Sequence, residues 1–409
     1  MNRDYGILRE LGKKLAEIAN NPIQNENKRL WMLSNDLKQE RPMVCIDQLP
    51  WHELNFDNEL SLLTDDQFCK ALEEYIRKQL FKWKYFKADM VIENYIPIPK
   101  IINGLNLGLS VDEDIVVTDI NNSVVGHRYY DQLQSEEDLE KIKMPVVSND
   151  VETDRKRLDM ARDIFRDIIE IKSTGVGLCY NFWDRIVGWR GAENAIIDLL
   201  DRPDYVHKIL KKISACMLSM TDQLESKGLL EGEQSLIHAT YAYTNELPKP
   251  GYDQNKPRTN DVWTFGMAQI FSTVSPAMHE EFEINYVKDI FKRYGLVYYG
   301  CCEPLHEKID IIRKLPNVRK ISVTPWANPY ICGEKINRDF VFSAKPSPAY
   351  LAVGNLDIDA VKKDIIELIN ISKKNNCNLE LILKDISTVG YDMKKLIDWE
   401  QTVMALVKN

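Results

Sequence analysis

From Asp261 onward the chain alternates short apolar runs with amphipathic helical stretches, and no other feature narrows its possible folds as much. Trp263 to Ile270, 296–300, 319–323, 340–343 and 379–383 read as strands, while Pro276 to Tyr294, 304–315, 358–373 and 392–407 read as helices. Strands separated by helices can pair only in parallel, because each crossover needs a helix to return the chain. Further apolar runs begin at Met43, Asp89 and Gly175. With starts at Trp263, Leu296, Lys320, Phe340 and Leu379 they bring the count to eight, which predicts a (β/α)8 TIM barrel. A chain of 409 residues holds such a body together with appended segments.

The appended segments are legible too. Leu8, Leu11, Leu15 and Ile18 recur at helical spacing, Pro22 interrupts, and a second helical run ends before Pro42. Residues 1–41 are therefore expected to form an amino-terminal helical annex, with the barrel over 42–409. Between about 104 and 150 the pattern alternates around Ile115 to Thr118 and Val124 to Tyr129, then passes an acidic helix to Pro145, predicting a β-rich excursion. Helical period returns over 153–171 and 204–226. Leu236 to Tyr243 has strand composition, and the proline-broken stretch 244–260 is long enough to be expected as a lid.

An apolar fraction of 44%, a charged fraction of 28% and a net charge of -9 are those of a globular protein, and they argue against a nucleic-acid groove or an anionic membrane surface. No segment approaches 18 uninterrupted apolar residues, and Met-Asn-Arg-Asp-Tyr lacks the apolar core of a signal peptide. A cytoplasmic location is expected, with the eight scattered cysteines as thiols. No glycine-rich phosphate fingerprint is present.

Chemistry concentrates in Gly295-Leu-Val-Tyr-Tyr-Gly-Cys-Cys-Glu-Pro-Leu-His306, where a strand stops at two thiols, a carboxylate and an imidazole. Pro304 stands where a helix could begin, with His306 one turn on. Cys301, Cys302 and Glu303 then fall at the carboxyl end of a strand, where barrels place their sites. These are ligand types for a thiophilic metal, and Cys301, Cys302 and Glu303 are the candidate set. Adjacent side chains on extended backbone point to opposite faces, so both thiols can reach one ion only through a bend. The competing reading is a small apolar pair at a strand end. Lys345 and Asp385 also end strands, either lining the mouth or forming a structural ion pair. His238 is expected in the interior, Trp263 and Gln269 as packing, and the methionines of 204–226 as core.

Val274-Ser-Pro276, His279-Glu-Glu-Phe282, Tyr298-Tyr-Gly-Cys-Cys-Glu303, Ile321-Ser-Val-Thr-Pro325, Phe342-Ser-Ala-Lys-Pro346 and Leu383-Lys-Asp385 carry a resemblance to the uroporphyrinogen decarboxylase superfamily, in its corrinoid methyltransferase-like branch. It spans roughly residues 40–408 and is weakest over 100–150. The resemblance implies a barrel with one of two chemistries. Decarboxylases of the superfamily hold a polycarboxylate with arginines near the amino terminus, yet after Arg41 this chain has none until Arg77. The methyltransferases use zinc held by a His-x-Cys pair and a second cysteine. Here Tyr299-Gly-Cys301 replaces the pair, and Asp385 or Thr388 stands where the second thiol would be.

What the resemblance implies is a methyltransferase that moves a methyl group from a small methylated compound, such as a methoxylated aromatic, to a corrinoid protein. Zinc would be bound by Cys301 or Cys302 with Glu303, His306 and Asp385, acting as a Lewis acid. Without metal, Glu303 or His306 would act as general acid. Cobalamin would arrive on a partner, since the chain has no Asp-x-His-x-x-Gly segment, and a homodimer is plausible. The rivals are a cofactor-free decarboxylase or lyase, and a non-catalytic barrel that has lost its metal.

Overall fold

The computed structural model describes residues 3–117 and 125–408. Its central sheet has seven strands: β1 (Met43–Ile46), β2 (Cys179–Tyr180), β3 (Trp263–Gly266), β4 (Leu296–Tyr299), β5 (Val318–Val323), β6 (Val341–Ala344) and β7 (Asn378–Leu383). They lie in the order β1-β7-β6-β5-β4-β3-β2 and pair in parallel throughout. Every residue of β1, β3, β4, β6 and β7 is buried, as a parallel sheet covered on both faces requires. Among the described residues no helix is long and apolar enough to cross a membrane.

The eighth strand expected at Asp89 does not form, so no ladder joins β1 to β2 and the ring is not closed. The segment runs beside β1, but distant side chains take its backbone groups. Trp31 Nε1 donates to Asp89 O at 2.8 Å and Asn27 Nδ2 to Met90 O at 3.0 Å. Val91 N donates to the Tyr241 hydroxyl at 2.9 Å and Ile92 N to Gln24 Oε1 at 2.8 Å. The Asp89 carboxylate accepts the Val44 N–H that a neighbouring strand would otherwise take, and Arg41 holds it by two bonds. Buried backbone groups need partners, and with these taken by side chains a single backbone bond, Asp89 N–H to Val44 O at 3.2 Å, joins the segment to β1. The strand expected at Gly175 is likewise displaced, to Cys179.

Residues 236–243 form a hairpin instead of one strand: Leu236–Ile237 pairs antiparallel with Thr240–Tyr241 around His238 and Ala239, both left-handed at φ 41° and 64°. The hairpin fills the interior of the sheet. Thr240 Oγ1 donates to Glu380 Oε2 at 2.9 Å, and Lys320 Nζ meets the same oxygen at 2.8 Å and Tyr241 O at 3.0 Å. Lys320 and Glu380 are fully buried, with the ammonium over the rings of Trp31 and Trp263. Trp31 arrives on the helix Pro22–Asn35, which ends well short of Pro42 and plugs the floor.

The first helix, Arg3–Ala19, packs in a separate apolar cluster with Ile76, Ile96 and Phe165, built around a parallel pair, Tyr95–Pro99 and Glu170–Thr174, unforeseen from the sequence. The excursion holds two antiparallel pairs, Glu113–Val116 with Gly126–Tyr129 and Ile102–Asn103 with Ser148–Asn149. The expected strand ends at Thr118 and Val124 lie outside the described residues. The stretch expected as a lid packs elsewhere. Leu247 lies against Gly295, whose N–H meets Thr259 O at 3.2 Å, placing it where β4 begins, at the far end from Cys301.

Candidate active site at the carboxyl ends of the strands

Gly300 ends β4 at φ 93°, a conformation that L side chains rarely adopt. A Cβ there would collide with Leu305 and stand 3.1 Å from Ser322 Cβ. The turn it permits supplies the bend that two adjacent cysteines need, and their Sγ atoms converge to 3.4 Å. Cys301 is buried and Cys302 exposed. Glu303 folds back beneath them, accepting the Cys301 N–H at 2.9 Å and the Ala268 N–H at 3.3 Å, so it ties this turn to the end of β3. Burial raises its pKa against the opposing pull of those backbone bonds. Gly300→Ala is expected to cost about 1–3 kcal/mol through left-handed strain, read as a lower urea midpoint.

Two lysines complete the cluster. Lys384, just beyond β7, places Nζ 3.8 Å from Cys301 Sγ and pairs with Asp385, whose Oδ2 is 3.6 Å from Cys302 Sγ. Lys345, just beyond β6, donates to the Tyr298 hydroxyl at 2.9 Å and to Ser322 Oγ. Ser322 in turn donates to Cys301 O at 2.6 Å, linking Lys345 to the cysteine turn through one hydroxyl. Beside them the His238 imidazole stacks on Phe265 at 3.9 Å between centroids and meets the edge of Tyr298. Its Nε2 is buried with no partner.

The electrostatics follow from this packing. The hydrogen bond between the two sulfurs lowers the pKa of Cys302 against burial, with Lys384 assisting. The same bond, together with burial, raises that of Cys301. Burial pulls Lys345 down to about 8, opposed by Cys301. For Lys384 the pull of burial is outweighed by Cys301 and Asp385, and its pKa lies above the usual value. Burial, then Lys345 and Lys384, pull His238 down to about 2, so its ring is neutral at physiological pH.

Of the residues expected from sequence, Cys301, Cys302, Glu303, Lys345 and Asp385 come together. His306 does not join them. The helix expected from Pro304 begins only at Ile309, so His306 lies in a turn, its Nδ1 buried and unpartnered, with no hydrogen bond to the cysteines. Sequence reasoning passed over Lys384, although Glu380, Ile382 and Lys384 share one face by strand alternation. It also missed Glu283, on a π-helical turn within 276–294, fully buried with both carboxyl oxygens unpartnered. Burial, then Glu303 and Asp184, raise its pKa far above the carboxylate range.

The expected zinc set does not fit. Among the described residues no group of three or more His, Cys, Asp or Glu side chains could hold a metal ion. Both Glu303 oxygens are engaged by backbone N–H groups, and the Lys384 ammonium stands 3.8 Å from the buried thiol, where it repels a dication.

The protein is thus an α/β fold on a seven-stranded parallel sheet, with thiols and ammonium groups gathered beyond the carboxyl ends of β4, β6 and β7, the face that such folds use for chemistry. Among solved structures the chain is similar to a methyltransferase from Methanosarcina mazei, with a TM-score of 0.50, 9% identity, and coverage of 93% of this chain and 98% of that one. At that identity the likeness establishes a shared fold. No protein-family model matches the chain, and no curated protein matches it in sequence.

Proposed function

We propose that this chain is a methyltransferase of the uroporphyrinogen decarboxylase-like barrel type, taking a methyl group from a small methoxylated donor and passing it to a corrinoid partner protein. The observation that carries this reading is Lys345, a buried lysine whose pKa is drawn down to about 8, held at a strand end by Tyr298 and Ser322. A methyl–oxygen bond breaks readily only when the departing oxygen is protonated, and a proton donor with a pKa near neutrality is suited to that work. The bond's electron pair stays on oxygen, and the Lys345 ammonium supplies the proton. Cobalamin on the partner would supply the nucleophilic acceptor. The neutral His238 ring and Tyr298 would orient the donor, while Glu303 braces the turn and takes no part in proton transfer. Arg41, the last arginine before Arg77, is already committed to Asp89, which leaves a polycarboxylate without its clamp.

The test is to incubate the purified protein with methoxylated aromatics and a corrinoid protein, following the released phenol by chromatography and methylation of the corrinoid by its visible spectrum. Phenol formed in step with the spectral change supports the reading. If wild type releases no phenol from any such donor, while the corrinoid protein is methylated by a known partner enzyme, the reading fails.

A further inference from the structure

The proposed methyl transfer leaves the two thiols without a task. We propose that Cys301 and Cys302 form a capture site for small, neutral trivalent arsenicals, the class of arsenous acid and its monosubstituted relatives. Geometry, charge and access select this ligand. The Sγ atoms stand 3.4 Å apart, already convergent through the turn at Gly300. A direct disulfide is disfavoured, because neighbouring Cα atoms lie about 3.8 Å apart across a trans peptide, inside the roughly 4.4 Å at which unstrained disulfides begin. One larger soft atom bridging both sulfurs avoids that strain.

Charge excludes the obvious alternative. A divalent metal needs further ligands and would face Lys384 at 3.8 Å from Cys301 Sγ with Lys345 nearby, whereas a neutral three-coordinate arsenical needs two thiols and meets no repulsion. Cys302 is exposed and gives entry; the other cysteines are buried, apart from half-buried Cys179. The step balances without any redox change. Two As–O bonds break, two As–S bonds form, and each thiol proton leaves in a water molecule. The site does not depend on Lys345 acting as an acid.

Phenylarsine oxide, which condenses with paired thiols, is the probe. Reduced full-length protein is expected to take up one equivalent by intact mass spectrometry, in an adduct that withstands excess mercaptoethanol and is released by dimercaptopropanol. Cys301→Ser, Cys302→Ser and Cys302→Ala should each fall from one equivalent to none, with circular dichroism confirming the fold; Cys302 is exposed, so its variants keep the packing. Absence of an adduct in wild type, its persistence in either serine variant, or its release by the monothiol as readily as by the dithiol would overturn the proposal.

Discussion

Lys345→Met is expected to lower the rate of methyl transfer by about 10²–10⁴-fold, the usual contribution of a positioned general acid. The substitution keeps the volume of the side chain and removes the proton. Its two hydrogen-bond partners are not abandoned, since Tyr298 retains Ser343 at 2.6 Å and Ser322 retains Cys301 O. Loss of rate would therefore report chemistry and not collapse, and unchanged circular dichroism checks this. The pH dependence gives a second readout. Lys345 must carry its proton to act, and its pKa lies at about 8, so wild-type turnover should hold below that value and decline as pH rises through it. The variant's residual rate should show no such decline. A wild-type profile flat from pH 7 to 9 would remove Lys345 from the mechanism.

Lys320→Met should destabilise the protein by about 3–5 kcal/mol, because breaking a buried pair strands the surviving charge. Glu380 would keep only the Thr240 hydroxyl, and its Oε1 already has no partner. Replacing both partners, as Lys320→Met with Glu380→Leu, should recover most of the loss, since apolar substitutes of similar volume carry no desolvation penalty. Urea denaturation of the two single variants and the double variant measures this directly. If the double variant is no more stable than the singles, the pair is not what holds the floor together.

These two lysines also show where the sequence is readable and where it is not. The strands β3, β4, β6 and β7 announce themselves because burial on both faces makes each largely apolar, a purely local signal. The run at Asp89 looks the same locally. What denies it strand geometry are Gln24, Asn27, Trp31 and Tyr241, none of which stands near it in the chain. The Leu236 hairpin has the same difficulty: its turn places left-handed backbone at His238 and Ala239, residues that give no turn signal.

The candidate site divides in the same way. Its position beyond β4 follows from the strand ending at Gly300, and the convergence of the thiols from the bend that glycine allows. Residue types alone suggested metal ligation for Glu303, yet its actual partners are two backbone N–H groups, one from the neighbouring strand end. Lys384 was hidden by its neighbour Asp385, the more conspicuous residue, although strand alternation points Lys384 inward with Glu380 and Ile382. His306 was misplaced because a proline permits a helix to start without obliging it to.

The pairing of β1 with β7 joins Met43 to Glu380 and Ile46 to Leu383. Strands from opposite ends of the polypeptide are thus neighbours, and the floor beneath them is assembled from Trp31, Tyr241 and Glu380. A ribosome must release most of the molecule before its first strand can find a partner. Until then, that edge and the apolar floor stay open to solvent and to other chains, so this architecture places slow, late, long-range closure at the centre of its folding and exposes the growing chain to aggregation during synthesis.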